Sequence, residues 1–164
     1  MGTASIAFPL NMSTPVSFGV SEAANVVKDH YHQSIQRLRE TAILGRGLND
    51  AIRELNATYS ECSTGDWDGY NALPVSEWSF GFASSLLDLL PLGTPAPSIG
   101  AEPDGHITLE WYKSPHRTLS VSVSPTGELH FAALIGTSTR YGSDHFVREV
   151  PQAILDLIHR VAAA

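Results

Sequence analysis

The sequence predicts an α+β protein in which an antiparallel sheet of about four strands packs against helices that precede and follow it. Two observations favour this class. Apolar residues recur at helical spacing before about residue 60 and again after residue 151, whereas residues 98–135 alternate between apolar and polar side chains. No stretch alternates strand, helix and strand, which is the pattern of a parallel sheet. We therefore expect a flexible tail at residues 1–20, a helical arm at 21–62 and an α+β domain at 63–164.

An amphipathic helix is predicted in the arm because its apolar residues recur every three or four positions. Gly45 and Gly47 are expected to end this helix, and Asn49 is expected to cap a shorter second one. A loop is expected to begin at Cys62. The arm also offers a surface, residues 21–57, through which copies of the chain could form a homo-oligomer.

Two further helices are expected on either side of the sheet in the sequence. The first begins after Ser76, whose hydroxyl can accept hydrogen bonds from the first helical turn, and Pro91 stops it. The second begins at Pro151, a residue suited to the first turn of a helix. Its buried stripe is expected to consist of Ile154, Leu155, Ile158 and Val161.

The strands are predicted from strict alternation in residues 106–113, 119–124 and 129–135, preceded by a short strand near 98–102. Pro103-Asp104-Gly105 and Pro125-Thr126-Gly127 are typical of turns with glycine in the left-handed conformation. Successive strands joined by such turns form an antiparallel meander, with one dry face and one wet face.

Residues 136–143, GTSTRYGS, are polar and show no alternation, so they are expected to form a loop that crosses from the sheet to the last helix. Arg140 and Tyr141 lie at its tip. Loops of this length often bind a partner or ligand, and a plain connection is the alternative interpretation.

A catalytic use of the wet face is the alternative to a binding role. If Ser124 pairs with Glu128, Ser122 lies opposite His130, and the neighbouring hairpin can place Glu110 opposite Ser122. Such a row suggests a small hydrolase. The order argues against it, because a catalytic imidazole must lie between the acid and the hydroxyl. No glycine-rich oxyanion loop of the G-x-S-x-G type is present either.

Composition excludes several other classes of function. Seven histidines include no pair at helical i, i+4 spacing, and the single cysteine cannot build a thiolate site, so no metal and no cofactor are predicted. A net charge of −7 argues against direct nucleic-acid binding. No apolar run of about 18 residues indicates a membrane span, and no export signal is recognised, so we expect a cytoplasmic protein.

The segment around Trp67 is the most unusual in composition, since Asp66 and Asp68 flank a tryptophan and Tyr70 follows. Large amphipathic side chains of this kind dominate protein interfaces. In the alternative interpretation Trp67 fills the core and Asp68-Gly69 makes a turn. The residues predicted to contact a partner are Trp67, Asp68, Tyr70, Glu110, Tyr112, Arg140 and Tyr141.

Three segments resemble a family of small, largely uncharacterised bacterial proteins: WDGYNALPVS at 67–76, PDGHITLEW at 103–111, and LSVSV followed by GELHFAAL at 119–134. The resemblance covers about residues 65–162 and brings no catalytic residues. It implies an accessory protein of a two-gene module, of the toxin–antitoxin or immunity kind.

The charge is concentrated in the part of the chain that carries this resemblance. Residues 1–63 have a net charge of −1 and residues 64–164 have −6. Negative charge steers encounter with a basic protein. The sequence thus predicts an acidic protein-binding module that neutralises or scaffolds a basic protein partner.

Overall fold

The structure, a computed structural model, describes residues 47–163 of the chain. It contains three helices and one antiparallel sheet, which confirms the α+β class. The helices are α1 (residues 47–62), α2 (Glu77–Asp88) and α3 (Gln152–Ala162). The strands are β1 (Ser98–Ala101), β2 (Ile107–Ser114), β3 (Arg117–Val123), β4 (Glu128–Ile135) and β5 (Ser138–His145). The predicted tail at 1–20 and the arm up to residue 46 lie outside the described residues.

The sheet is a meander in the order β1-β2-β3-β4-β5, each strand antiparallel to the next. The predicted turns before β2 and β4 are confirmed, since Gly105 and Gly127 have φ of 86° and 78°. The prediction of about four strands was one short. Residues 138–145, expected to be loop, instead form β5, which pairs with β4 from Ile135↔Ser138 to Glu128↔His145.

One face of the sheet, which we call the inner face, is covered by helices. Both α2 and α3 contact β2 and β3, and α3 also contacts β4. Many of the side chains that alternate toward these helices are fully buried in the middle three strands, including Ile107, Leu109, Leu119, Val121 and Leu129. Each such burial contributes roughly 1.5–3 kcal/mol before entropy is counted. This packing fixes which residues are left on the opposite face.

Helix α1 adds to the same core and corrects three expectations. Gly47 and Asn49 lie within the helix, where a helix end and a cap were predicted, and Cys62 is its last residue. Ala51 and Leu55 are buried in the core cluster that the sheet and the other helices share. Tertiary packing of such a face stabilises a helix more than its end residues do, so residues 47–62 form one helix.

The caps of the flanking helices follow the sequence closely, but one buried stripe does not. Ser76 caps α2, its hydroxyl accepting from Trp78 N at 3.2 Å. Helix α3 follows Pro151 as predicted. Its buried positions include Leu157, whereas Leu155, which was predicted to be buried, is only partly so. Both leucines fit a helical stripe, and packing of α3 against β2, β3 and β4 selects Leu157.

Cys62 is the free thiol of the chain and lies buried at the end of α1. Burial, with a smaller contribution from the Glu61 carboxylate, raises its pKa above the ordinary value of a thiol. Its carbonyl oxygen accepts a hydrogen bond from Val75 N at 2.8 Å. Cys62 therefore contributes to packing as a neutral side chain and joins α1 to the segment that leads into α2.

Candidate functional site

The candidate site is the second face of the sheet, which we call the outer face. Neither α2 nor α3 packs on it, and its side chains are those that alternate away from the buried set. Its centre is lined by small hydroxyl side chains of β2 and β3. By register, the outer-face positions are Ser98, Gly100, Thr108, Glu110, Tyr112, Thr118, Ser120, Ser122, Glu128, His130, Ala132, Leu134, Thr139, Tyr141, Ser143 and His145.

The register corrects the predicted row of catalytic candidates. Ser122 does lie opposite His130, as expected from the β3–β4 hairpin. Glu110, however, lies opposite Ser120, and Ser122 faces Thr108 instead. The short connection between Ser114 and Arg117, which pair with each other, and the irregularity between Tyr112 and Ser114 fix this register. It differs by two residues from the assumed alignment. Glu110, Ser122 and His130 therefore do not share a row.

The true row through Glu110 brings together residues that looked unrelated in the sequence. Glu110 lies opposite Ser120, Ser120 opposite Ala132, and Ala132 opposite Tyr141. Tyr112 lies on the same face one row away. Three predicted partner-contacting residues, Glu110, Tyr112 and Tyr141, thus belong to one surface, and both tyrosines are exposed, by 63% and 82%.

Two histidines form a polar cluster at one end of the outer face. His106 Nδ1 lies 3.2 Å from Ser122 Oγ. The His106 and His130 rings are stacked nearly parallel, with centroids 6.3 Å apart. His130 Nε2 lies 3.9 Å from a Glu128 carboxylate oxygen. The sequence did not single out His106, because its role depends on a turn that folds it beside β3.

The geometry of this cluster does not match a catalytic triad. Asp104 Oδ2 approaches His106 at 3.6 Å, but it does so at Nδ1, the same nitrogen that faces Ser122 Oγ. A relay needs the acid and the hydroxyl on opposite ring nitrogens. The concavities found on the described residues lie along α1, along α2 and beside Trp111, and other side chains line them. The arrangement is that of a hydrogen-bonded surface network.

The same turn contains the side chains best placed to hold a cation. Ligand atoms of Glu102, Asp104 and His106 all lie within 4.8 Å of one another. Each carboxylate already has a protein donor, since Thr108 Oγ1 donates to Glu102 and the His106 backbone N donates to Asp104. These hydrogen bonds account for the cluster as part of the turn, so its geometry by itself assigns no metal.

The aromatic segment before α2 is a loop stabilised largely by its own aspartates. Asp68 Oδ1 accepts from Tyr70 N and Ala72 N, at 2.8 and 3.1 Å. The Trp67 indole N–H donates to Leu73 O at 2.9 Å, and its ring packs partly against the core. Trp67 and Asp68 thus hold the loop together. Tyr70 is 86% exposed and is the member of this trio most available to a partner.

This loop contacts the turn that carries the histidine cluster. Leu73 N donates to Pro103 O at 2.8 Å, and Ser76 N donates to Gly105 O at 3.1 Å. The WDGYNALPVS and PDGHITLEW segments, separate in sequence, are therefore hydrogen-bonded neighbours.

Arg140 and Tyr141 occupy positions in β5 and not the tip of a loop. Alternation puts Tyr141 on the outer face and Arg140 on the inner side. All eight residues of β5 are exposed, so neither of its faces carries the apolar alternation that reveals a strand. The sequence signal that could have indicated β5 is the glycine at position 136, because glycine is typical of tight hairpin turns. In the structure Gly136 has a φ of 65° in the turn between β4 and β5.

Within residues 47–163, the fold is an α+β arrangement of two layers, with helices on one side of the meander and the polar outer face on the other. Comparisons with protein-family models, with curated proteins and with solved structures gave no match. Among the described residues, no helix has the length and apolar character needed to cross a membrane.

Proposed function

We propose that this chain is an acidic protein-binding module of the antitoxin or immunity kind, and that its outer face binds a basic protein partner in the cytoplasm. The observation that carries the proposal is the distribution of charge across the sheet. By alternation, Arg117 and Arg140 fall on the inner side together with Asp144, whereas Glu110 and Glu128 fall on the outer face.

The acidic character extends to the edge of the outer face. Glu102 and Asp104 lie in the turn beside it, and Thr108 on the outer face donates to Glu102. Negative groups gathered on one face attract a positively charged surface and speed its association. The net charge of −6 on residues 64–164 acts in the same direction.

The uncharged side chains of the outer face also suit protein binding. Tyr112 and Tyr141 offer large, rigid and largely exposed rings, which often carry binding energy at low entropic cost. Ser120 and Ala132, which lie between Glu110 and Tyr141 in the same row, are small and let a partner approach the sheet closely. The antitoxin or immunity role itself rests on the resemblance of the three sequence motifs.

The test is capture of a partner by the full chain from extracts of its own cells, followed by comparison of two matched double variants. Glu110→Gln with Tyr112→Ala changes the outer face, whereas Glu77→Gln with Trp78→Ala removes the same kinds of group from α2, where Trp78 is 72% exposed. We expect the first pair to raise the dissociation constant of the captured protein by about tenfold or more, and the second to leave it unchanged.

Salt gives a second measure, because contacts between exposed charges weaken as ionic strength rises. We expect the partner to be basic and to be released at moderate salt. Capture of no specific protein would overturn the proposal. Equal retention of the partner by both double variants would overturn the assignment of the outer face.

A further inference from the structure

Among the described strands, β5 forms one edge of the sheet and pairs on one side only. It is the last strand in the order β1-β2-β3-β4-β5, and all eight of its residues are exposed. An edge strand presents unpaired backbone N–H and C=O groups that can pair with another strand, and proteins usually shorten, bend or cover such edges. The eight residues of β5 contain no proline, and their register with β4 runs without a bulge.

The hydrogen bonds to β4 show which groups of β5 face the open edge. Phe146 N, just beyond β5, donates to Gly127 O at 2.9 Å in the same register as the strand. Backbone groups alternate in direction along a strand. The even-numbered residues therefore bond to β4, and the odd-numbered residues, such as Tyr141 and Ser143, direct their N–H and C=O groups outward.

This pattern allows β5 to pair with itself in an antiparallel, twofold arrangement centred on Gly142. Tyr141 of each copy then lies opposite Ser143 of the other, so that the outward groups meet. Arg140 of each copy lies opposite Asp144 of the other, at a position where facing Cβ atoms approach to about 5 Å. The pairing thus brings two opposite-charge pairs together, one on each side of the axis.

Other registers that match the outward groups lack this complementarity. Centring on residue 140 or 144 places like charges opposite each other, and centring on 141 or 143 places Arg140 and Asp144 opposite uncharged residues. Within one copy the two charges are four strand residues apart, about 13 Å, which is too far to pair. Neither forms an ion pair with another residue in the described part of the chain.

We propose that two copies of this chain associate edge to edge through β5, forming a continuous ten-stranded sheet with reciprocal Arg140–Asp144 ion pairs. Gly142 places no side chain at the axis, and Phe131 of β4 fills the space that a Cβ there would occupy, 2.9 Å from its ring. The outer faces of the two copies become one surface across the β5 edges. This inference concerns the protein alone and does not depend on partner binding.

The test is the oligomeric state of the full-length protein, measured by light scattering and sedimentation over a range of concentrations. We expect a dimer. Arg140→Asp and Asp144→Arg should each raise its dissociation constant by about tenfold or more, since each replaces two attractions by two repulsions. Arg148→Asp, an exposed reversal outside β5, is the matched control and should leave the dimer unchanged.

Combining Arg140→Asp with Asp144→Arg restores opposite charges at both positions, so the double variant should dimerise like the original protein. A monomer at every concentration would overturn the proposal. So would a dimer that neither single reversal weakens, because association through another surface, such as residues 21–57, is insensitive to β5. Circular dichroism confirms that each variant is folded.

Discussion

Gly105 is the residue at which the turn before β2 packs against the segment before α2. It lies in the turn before β2 with φ of 86°, and a Cβ built on it would lie 2.7 Å from Pro74 O. Its own carbonyl oxygen accepts from Ser76 N at 3.1 Å. The left-handed conformation and the close approach both require glycine.

We therefore predict that Gly105→Ala destabilises the protein by about 1–2 kcal/mol from the conformation alone, and by more because of the backbone contact. Gly100→Ala is the control, since Gly100 lies in β1 with open space around its Cβ position and without a positive φ. Urea unfolding of both variants measures the difference. A Gly105 variant as stable as the Gly100 variant would mean that the loop and the turn do not hold each other in place.

The arrangement of polar residues on the outer face is also decided at the level of single residues. His106 contacts both Ser122 and Asp104 through Nδ1, which gives a surface network and not a catalytic relay. The sequence predicted that Ser122 and His130 face each other, because one hairpin of known loop length determines that pairing. The position of Glu110 depended on a second turn, where the sequence allowed more than one register.

At the scale of elements, α3 shows how packing selects among equivalent helical faces. The sequence offers apolar residues at 154, 155, 157, 158 and 161, and spacing alone permits either Leu155 or Leu157 in the stripe. Contact with β2, β3 and β4 buries Leu157 to 6% exposure and leaves Leu155 half-buried. The contact between α3 and the sheet therefore determines which face of the helix is buried.

We predict that Leu157→Ala costs about 2–5 kcal/mol of stability, in the range of buried leucine truncations, and that Leu155→Ala costs distinctly less. Both changes remove the same atoms from the same helix, so helix propensity cancels in the comparison. Thermal or urea unfolding gives the two values. The reverse order would mean that α3 lies on the sheet with the face the sequence first suggested.

Strand β5, unlike α3, forms without any pattern of apolar residues in its sequence. Its backbone hydrogen bonds to β4 hold it in the sheet, while its side chains are exposed on both sides. Prediction from alternation detects only strands with one buried face. Moving residues 138–145 from loop to strand changed the candidate site, because it put Tyr141 in one row with Glu110 and opened the edge used in the proposed dimer.

At the scale of the whole molecule, the core extends beyond the predicted domain limit at residue 63. Leu55 of α1 is fully buried, and the Tyr59 ring of α1 lies 4.5 Å from that of Phe80 in α2. Glu54 also accepts a hydrogen bond from Ile99 N at the start of the sheet, at 3.1 Å. Residues 47–62 are structural partners of the sheet.

We predict that Leu55→Ala destabilises the full chain by about 2–5 kcal/mol, a large share of the stability of an ordinary domain. Asn56→Ala, at the exposed neighbouring position, should change stability by less than about 0.5 kcal/mol. A fragment of residues 63–164 should melt at a much lower temperature than the full chain. Equal melting of the fragment and the full chain would show that the predicted limit is a true domain boundary.

Local sequence patterns were enough to predict the α+β class, the positions of β1 to β4, the turns at Gly105 and Gly127, the Ser76 cap of α2 and the start of α3 after Pro151. These features are local, since each depends on periodicity or turn chemistry within a few residues. The sequence also located the negative charge in the second part of the chain. Long-range packing, by contrast, determines that β5 joins the sheet, that α1 enters the core and that Glu110 and Tyr141 share a row. These depend on strand register and layer packing, which join residues far apart in sequence and leave no periodic signal where both faces of an element are exposed.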